Sequence, residues 1–184
     1  MYLSHVRIRT PTIARLRDAL LQSGRRPSSV VSPAYETLAR SGLLNQDEAL
    51  ALARVEPLAE TMFLMMSADG VLKPDEQDAV RGAIRGLSGN LLHTGTINVM
   101  LERFAIRLDD QGRDQRLKEI AAAIASEPAE AEGAFALAAA VALADDDVAT
   151  QENELIKELT VWFGISPKRA HEILDQLEAD RRFA

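Results

Sequence analysis

Residues Ala68-Asp69-Gly70-Val71-Leu72-Lys73-Pro74-Asp75-Glu76 and Ala144-Asp145-Asp146-Asp147-Val148-Ala149-Thr150-Gln151-Glu152 follow one pattern at a constant offset of 76 residues. Each copy is preceded by an apolar run, Met62 to Ala68 and Ala134 to Ala144, and followed by apolar positions at helical spacing. An apolar helix, an acidic turn and an amphipathic helix therefore occur twice, and a duplicated helix-loop-helix is the expected unit of the fold. The rest of the chain agrees with helix. Aromatic residues make up only 4% of it, Ala and Leu dominate, and β-branched runs bounded by turn residues are missing. The expectation is an all-α helical bundle with an internal duplication and extra N-terminal helices.

Punctuation along the chain places the elements. Pro11 to Gln22 carries Ile13, Leu16, Leu20 and Leu21 at helical spacing, and Ser23 to Ser29 breaks the pattern as a linker. Pro33 to Ser41 reads as a short helix ended by Gly42, and Asn45-Gln46-Asp47-Glu48 as a capping-box start for a helix to about Arg54. Leu58 to Ala68 and Pro74 to Leu87 form the first pair; Thr96 to Leu108 and Arg113 to Ala125 connect the copies through the turn Asp109-Asp110-Gln111-Gly112. Pro128 to Ala144 and Gln151 to Phe163 form the second pair, Gly164 caps it, and Ser166-Pro167 opens a last helix to about Arg181. Two parts follow, a basic helical segment over residues 1–55 and a duplicated helical domain over 56–184. The small side chains of Ala136 to Ala142 let neighbouring helices approach closely and mark the central buried helix. Met62, Met65, Met66, Met100, Trp162 and Phe163 are expected in the core.

Charge and composition exclude several functions. The chain carries a net −7, but residues 1–55 hold eight Arg against four Asp or Glu, so the front is +4 and the remainder −11. An acidic body does not suit a phosphate backbone, which argues against nucleic acid as partner. The absence of cysteine removes thiolate metal sites, thiol nucleophiles and disulfides, and fits a reducing, cytoplasmic setting. Met1 to Arg9 lacks the apolar stretch of a signal peptide, and Ala134 to Ala144 is about half the roughly 20 residues a membrane span needs. No G-x-S-x-G, P-loop, H-E-x-x-H or dinucleotide glycine pattern occurs, so no enzyme reading has a nucleophile and base to name.

The acidic turns have two readings. Asp69, Glu76, Asp145 and Glu152 are oxygen donors suited to a hard divalent cation, Mg²⁺, Ca²⁺ or Mn²⁺. A calcium EF-hand is excluded, because its first and third ligand positions would fall on Met65 and Ser67 in one copy and on Val141 and Leu143 in the other. The second reading is local: Lys73-Pro74-Asp75-Glu76 sets Pro at the first helical position and Glu at the third, where its carboxylate reaches back to an orphan N–H. The three histidines are far apart in sequence. His171 and Asp175, four residues apart, are expected to be a solvated helix face.

The order apolar helix, Ala-Asp-Gly-x-Leu-x-x-x-Glu and amphipathic helix, repeated as Ala-Asp-Asp-x-Val-x-x-x-Glu and followed by Trp162-Phe163-Gly164-Ile165-Ser166, resembles the TerB-like tellurite-resistance domain. The same fold is found at the front of some membrane-anchored DnaJ-like co-chaperones. The resemblance covers about residues 56–181. It implies an all-helical bundle of roughly seven helices, a cytoplasmic role in resistance to tellurite and other stresses, acidic residues suggested to bind metal, and no established catalysis. The matching acidic positions are Asp69, Glu76, Asp145 and Glu152, with Asp146 standing where the first copy has Gly70. No His-Pro-Asp tripeptide occurs, so the J-domain signature is missing. The resulting expectation is a non-enzymatic protein of the metal or stress response that binds a divalent cation through its acidic loops. The alternative is a protein-interaction scaffold whose loops only start helices. A protein partner is expected under either reading, and pairing with a second copy stays open.

Overall fold

A computed structural model describes residues 10–22, 35–70, 72–144 and 150–182. Among these residues the chain is all helical, with no strand: α1 (Thr10–Gln22), α2 (Glu36–Arg40), α3 (Gln46–Met66), α4 (Pro74–Leu87), α5 (Thr94–Gln111), α6 (Arg113–Ile124), α7 (Pro128–Ala142), α8 (Thr150–Trp162) and α9 (Pro167–Arg182). None is long and apolar enough to cross a membrane.

The centre is α7, a helix made of small and apolar residues. Residues such as Ala134, Phe135, Leu137, Ala138, Ala139 and Ala142 have no exposed surface, as the small side chains foretold. Its most extensive contact is with α3, and α1, α8, α9 and α6 also pack on it. The packing around Gly133 is close: a Cβ there would already be in van der Waals contact, 3.4 Å from Leu58 Cδ2 and 3.9 Å from Leu16 Cδ2. The four methionines on apolar faces are all in the core. Phe63 of α3 and Phe104 of α5 meet with ring centroids 5.7 Å apart at 54°, a tilted pair worth about 0.5–1.5 kcal/mol beyond its area.

Helix α3 departs from the sequence expectation. Two helices were expected to part near Glu56-Pro57, and the structure runs one helix of 21 residues through both. Proline in a helix interior costs roughly 3 kcal/mol through its missing N–H and ring clash. Burial on both sides of Pro57 offsets this, because Leu52, Val55, Leu58, Ala59 and Met62 are all buried. Thr61 also donates its hydroxyl to the Pro57 carbonyl at 2.7 Å. The helix starts where expected: the Glu48 N–H donates to Asn45 Oδ1 at 2.9 Å and the Asn45 N–H to Glu48 Oε2 at 2.8 Å.

Two smaller differences have local causes. The acidic stretch Asp109-Asp110-Gln111 stays helical, and only Gly112, at φ +79°, leaves the helix to separate α5 from α6. Trp162 is 38% exposed rather than core. The buried stripe of α8 consists of Leu155 and Leu159, and Trp162 is the last residue of the helix, at the margin of that stripe. Phe163 is partly buried against the core.

The basic front is joined to the body by packing. Ile13 and Leu16 of α1 are buried, and α1 rests on α4 and α7. Thr12 donates its hydroxyl to Asp180 Oδ2 of α9 at 3.0 Å, and Arg15 Nη1 lies 2.7 Å from the same oxygen.

Candidate functional site

The first acidic turn is built by the ends of α3 and α4. Ser67 donates its hydroxyl to the Phe63 carbonyl at 2.8 Å, and the Gly70 N–H, with φ +124°, donates to Ser67 O at 3.1 Å. Asp69 is exposed at the tip. Glu76 turns the other way, into its own helix start: the Lys73 N–H donates to Glu76 Oε2 at 2.8 Å, and Lys73 Nζ stands 4.0 Å from Oε1. Its carboxylate thus satisfies one of the orphan donors of α4 and lies at the positive end of the helix dipole.

Asp145, with Asp146 and Asp147, lies outside the described residues. Glu152 is in the first turn of α8 and is partly buried. Among the described residues no three His, Cys, Asp or Glu side chains converge to hold a metal ion. His171 Nε2 is 3.4 Å from Asp175 Oδ2, with both side chains mostly in solvent, as expected of a helix face. His93 does find a buried partner, Glu48 Oε1 at 2.8 Å.

The most developed polar arrangement among the described residues lies elsewhere, where α3, α5 and α6 meet, at residues that the sequence expectations did not include. Glu60 of α3 has a side chain only 3% exposed. It takes Arg116 of α6 in a two-pronged pair, from Nε at 2.7 Å and Nη2 at 3.0 Å, and Arg107 Nη1 of α5 at 3.1 Å. Arg107 Nη2 also donates to Glu56 Oε1 at 3.1 Å. Arg116 Nη1 donates to Gln111 Oε1 at 2.9 Å and to the Glu119 carboxylate. Burial opposes the Arg116 charge, but Glu60 and Glu119 more than offset it, so the guanidinium is held above its ordinary pKa. Hydrogen bonding from Gln115, with Arg116 alongside, holds the Glu119 carboxyl below the usual range.

This network floors a cavity of about 720 Å³ between α3 and α6. Its walls are Leu44, Ala49, Leu52, Ala53, Pro57 and Ile120, and its charged lining is Glu56, Glu60, Glu119, Arg107 and Arg116. The volume lies in the ordinary range for small-ligand pockets, roughly 300–1,000 Å³. One sequence signal pointed here. Glu60 is a single carboxylate inside the apolar stretch Leu58 to Met66, and a buried charge must find a partner. Nothing local, however, names Arg116, 56 residues away.

Beside the network, Tyr35 is wholly buried with the Arg103 guanidinium 4.7 Å above its ring. Burial, and next the neighbouring Glu56 charge, push its hydroxyl above the ordinary tyrosine range. That hydroxyl has no hydrogen-bond partner among the described residues.

Comparison with known proteins bears on the same region. Residues 56–175, about two thirds of the chain, match the family model described as tellurite resistance protein TerB. The match begins inside α3 at Glu56 and includes every charged residue of the buried network. No curated protein matches, and no solved structure does.

Proposed function

The chain belongs to the TerB tellurite-resistance family, and from that premise we propose that it is a non-enzymatic protein of the tellurite and general stress response that works by contact with a protein partner. In this reading the acidic turns serve to start helices. The observation that carries it is the commitment of Glu76, whose two oxygens face the backbone N–H and ammonium of Lys73. A carboxylate so placed stabilises α4, which supports the helix-start reading.

The cavity between α3 and α6 supports a binding role over catalysis, since its charged groups are paired with one another and its lining sets no nucleophile beside a base. It does not suit an oxyanion such as tellurite. Three carboxylates face two guanidiniums, and Glu60 already fills the Nε–Nη2 fork of Arg116. The cation reading keeps its support in the second loop, where Asp145, Asp146 and Asp147 precede Glu152.

Glu76→Ala tests the assignment. Loss of a helix-start bond costs about 0.5–2 kcal/mol, and the loss is expected to be the same with and without added Mg²⁺, Ca²⁺ or Mn²⁺. Unchanged stability in metal-free buffer, together with loss of a cation-dependent rise in Tm, overturns the reading and restores Glu76 as a ligand.

A further inference from the structure

We propose that the cavity between α3 and α6 binds a compact organic cation, an alkylammonium or alkylguanidinium whose charged head pairs with Glu56 and whose apolar body lies on Ala49, Leu50, Ala53 and Pro57. The inference stands apart from the partner reading, since either can hold without the other.

Four features of the cavity converge on this chemistry. Its lining carries three carboxylates against two guanidiniums, so the local field favours a positive ligand, as does the −11 carried by residues 56–184. The guanidiniums are already engaged: Arg116 by Glu60, Gln111 and Glu119, and Arg107 by Glu60 and Glu56. A ligand anion would have to displace one of these carboxylates, whereas a cation has an acceptor waiting. Glu56 receives Arg107 on Oε1 alone, and its Oε2 has no hydrogen bond among the described residues, although its side chain is only 19% exposed. Around it the partly exposed wall, Ala49, Leu50, Ala53 and Pro57, is aliphatic and suits a short alkyl body.

The floor is also held in place before any ligand arrives. Glu60 and Arg116 are nearly inaccessible and joined by two hydrogen bonds, and Arg107 links this buried pair to Glu56. Such preorganisation lowers the ordering cost of binding.

Calorimetric titration of the full chain at neutral pH with n-hexylamine, 1-hexanol and hexanoate separates head charge from chain length. Saturable binding is expected for hexylammonium, weaker binding for hexanol, and none for hexanoate. Glu56→Gln removes the charge that assists the hydrogen bond to the ammonium head and is expected to weaken hexylammonium about tenfold or more while leaving hexanol unchanged. Ala53→Trp, which fills the aliphatic wall, is expected to abolish both, and circular dichroism checks that each variant is folded. Hexanoate binding as tightly as hexylammonium, no saturable hexylammonium binding up to about 10 mM, or equal affinity in Glu56→Gln each overturns the proposal.

Discussion

Replacing Glu60 by Ala is expected to be the most destabilising single change at the α3–α5–α6 junction. The side chain is 3% exposed and receives three N–H groups, two from Arg116 and one from Arg107. Its removal leaves the Arg116 guanidinium, itself only 7% exposed, with Gln111 and Glu119 alone. Breaking a buried pair by deleting one partner costs about 3–5 kcal/mol, chiefly because a buried charge is left uncompensated. In a domain of this size each kcal/mol lowers Tm by about 2–4 °C, so a fall of roughly 6–20 °C is expected. Urea unfolding should show a lower midpoint at unchanged slope, the sign of lost stability rather than of an altered denatured state. The physical cause has its own control. Glu60→Leu combined with Arg116→Leu removes both charges together and is expected to recover most of the loss, because a buried pair is worth little over apolar residues of similar size. A cost below about 1 kcal/mol for Glu60→Ala, or a double variant no better than the single one, would show that the network behaves as a solvated surface cluster.

Other changes read the remaining contacts. Asp180 joins α9 to α1; partial burial acts to raise its pKa, but hydrogen bonds from Arg15, Gln176 and Thr12 outweigh that and hold it below the ordinary carboxylate value. A depressed folded-state pKa gives stability that is present above the unfolded value near 4 and lost as pH falls through the folded one. Asp180→Asn should therefore cost about 1–2 kcal/mol at pH 7, with the difference from wild type shrinking below about pH 4 in a series of urea melts. Gly86→Ala places a Cβ 2.6 Å from Ile13 Cγ2, forcing α1 off α4 or Ile13 out of its rotamer, at a cost of about 1–3 kcal/mol. Gly82→Ala, in the same helix with nothing within 4 Å of its Cβ, should instead stabilise by about 0.4–1 kcal/mol, and thermal melts of the two variants check the opposite signs.

Local signals in the sequence were enough for most helices. The start and end of α4 were legible because Pro74 and Glu76 mark the first turn, and Ser88-Gly89-Asn90, with Gly89 and Asn90 both at φ +64°, marks the stop. The start of α3 was legible from Asn45 and Glu48, which form both bonds of the capping box. Where tertiary packing outweighs a local signal, the sequence misleads. Pro57 reads as a break and is carried through by burial on both sides, and Trp162 reads as core but ends α8 at its edge. The same division runs through the site. Glu76 acts on a residue three positions away and could be seen in advance; Glu60 and Arg116 come from helices brought together only by the fold.

In the proposed reading the acidic turns start helices and the protein acts by binding a partner rather than an ion. The most direct test is thermal unfolding of metal-stripped protein titrated with Mg²⁺, Ca²⁺, Mn²⁺ and Zn²⁺. A native-state site filled at a hundred times its Kd would add about 2.7 kcal/mol, or roughly 5–10 °C in Tm for a chain of this size. No saturable rise is expected for any of the four ions up to millimolar concentration. A saturable rise for one ion that disappears in the Asp69→Asn, Asp145→Asn double variant would contradict this reading and establish a cation site in the acidic loops.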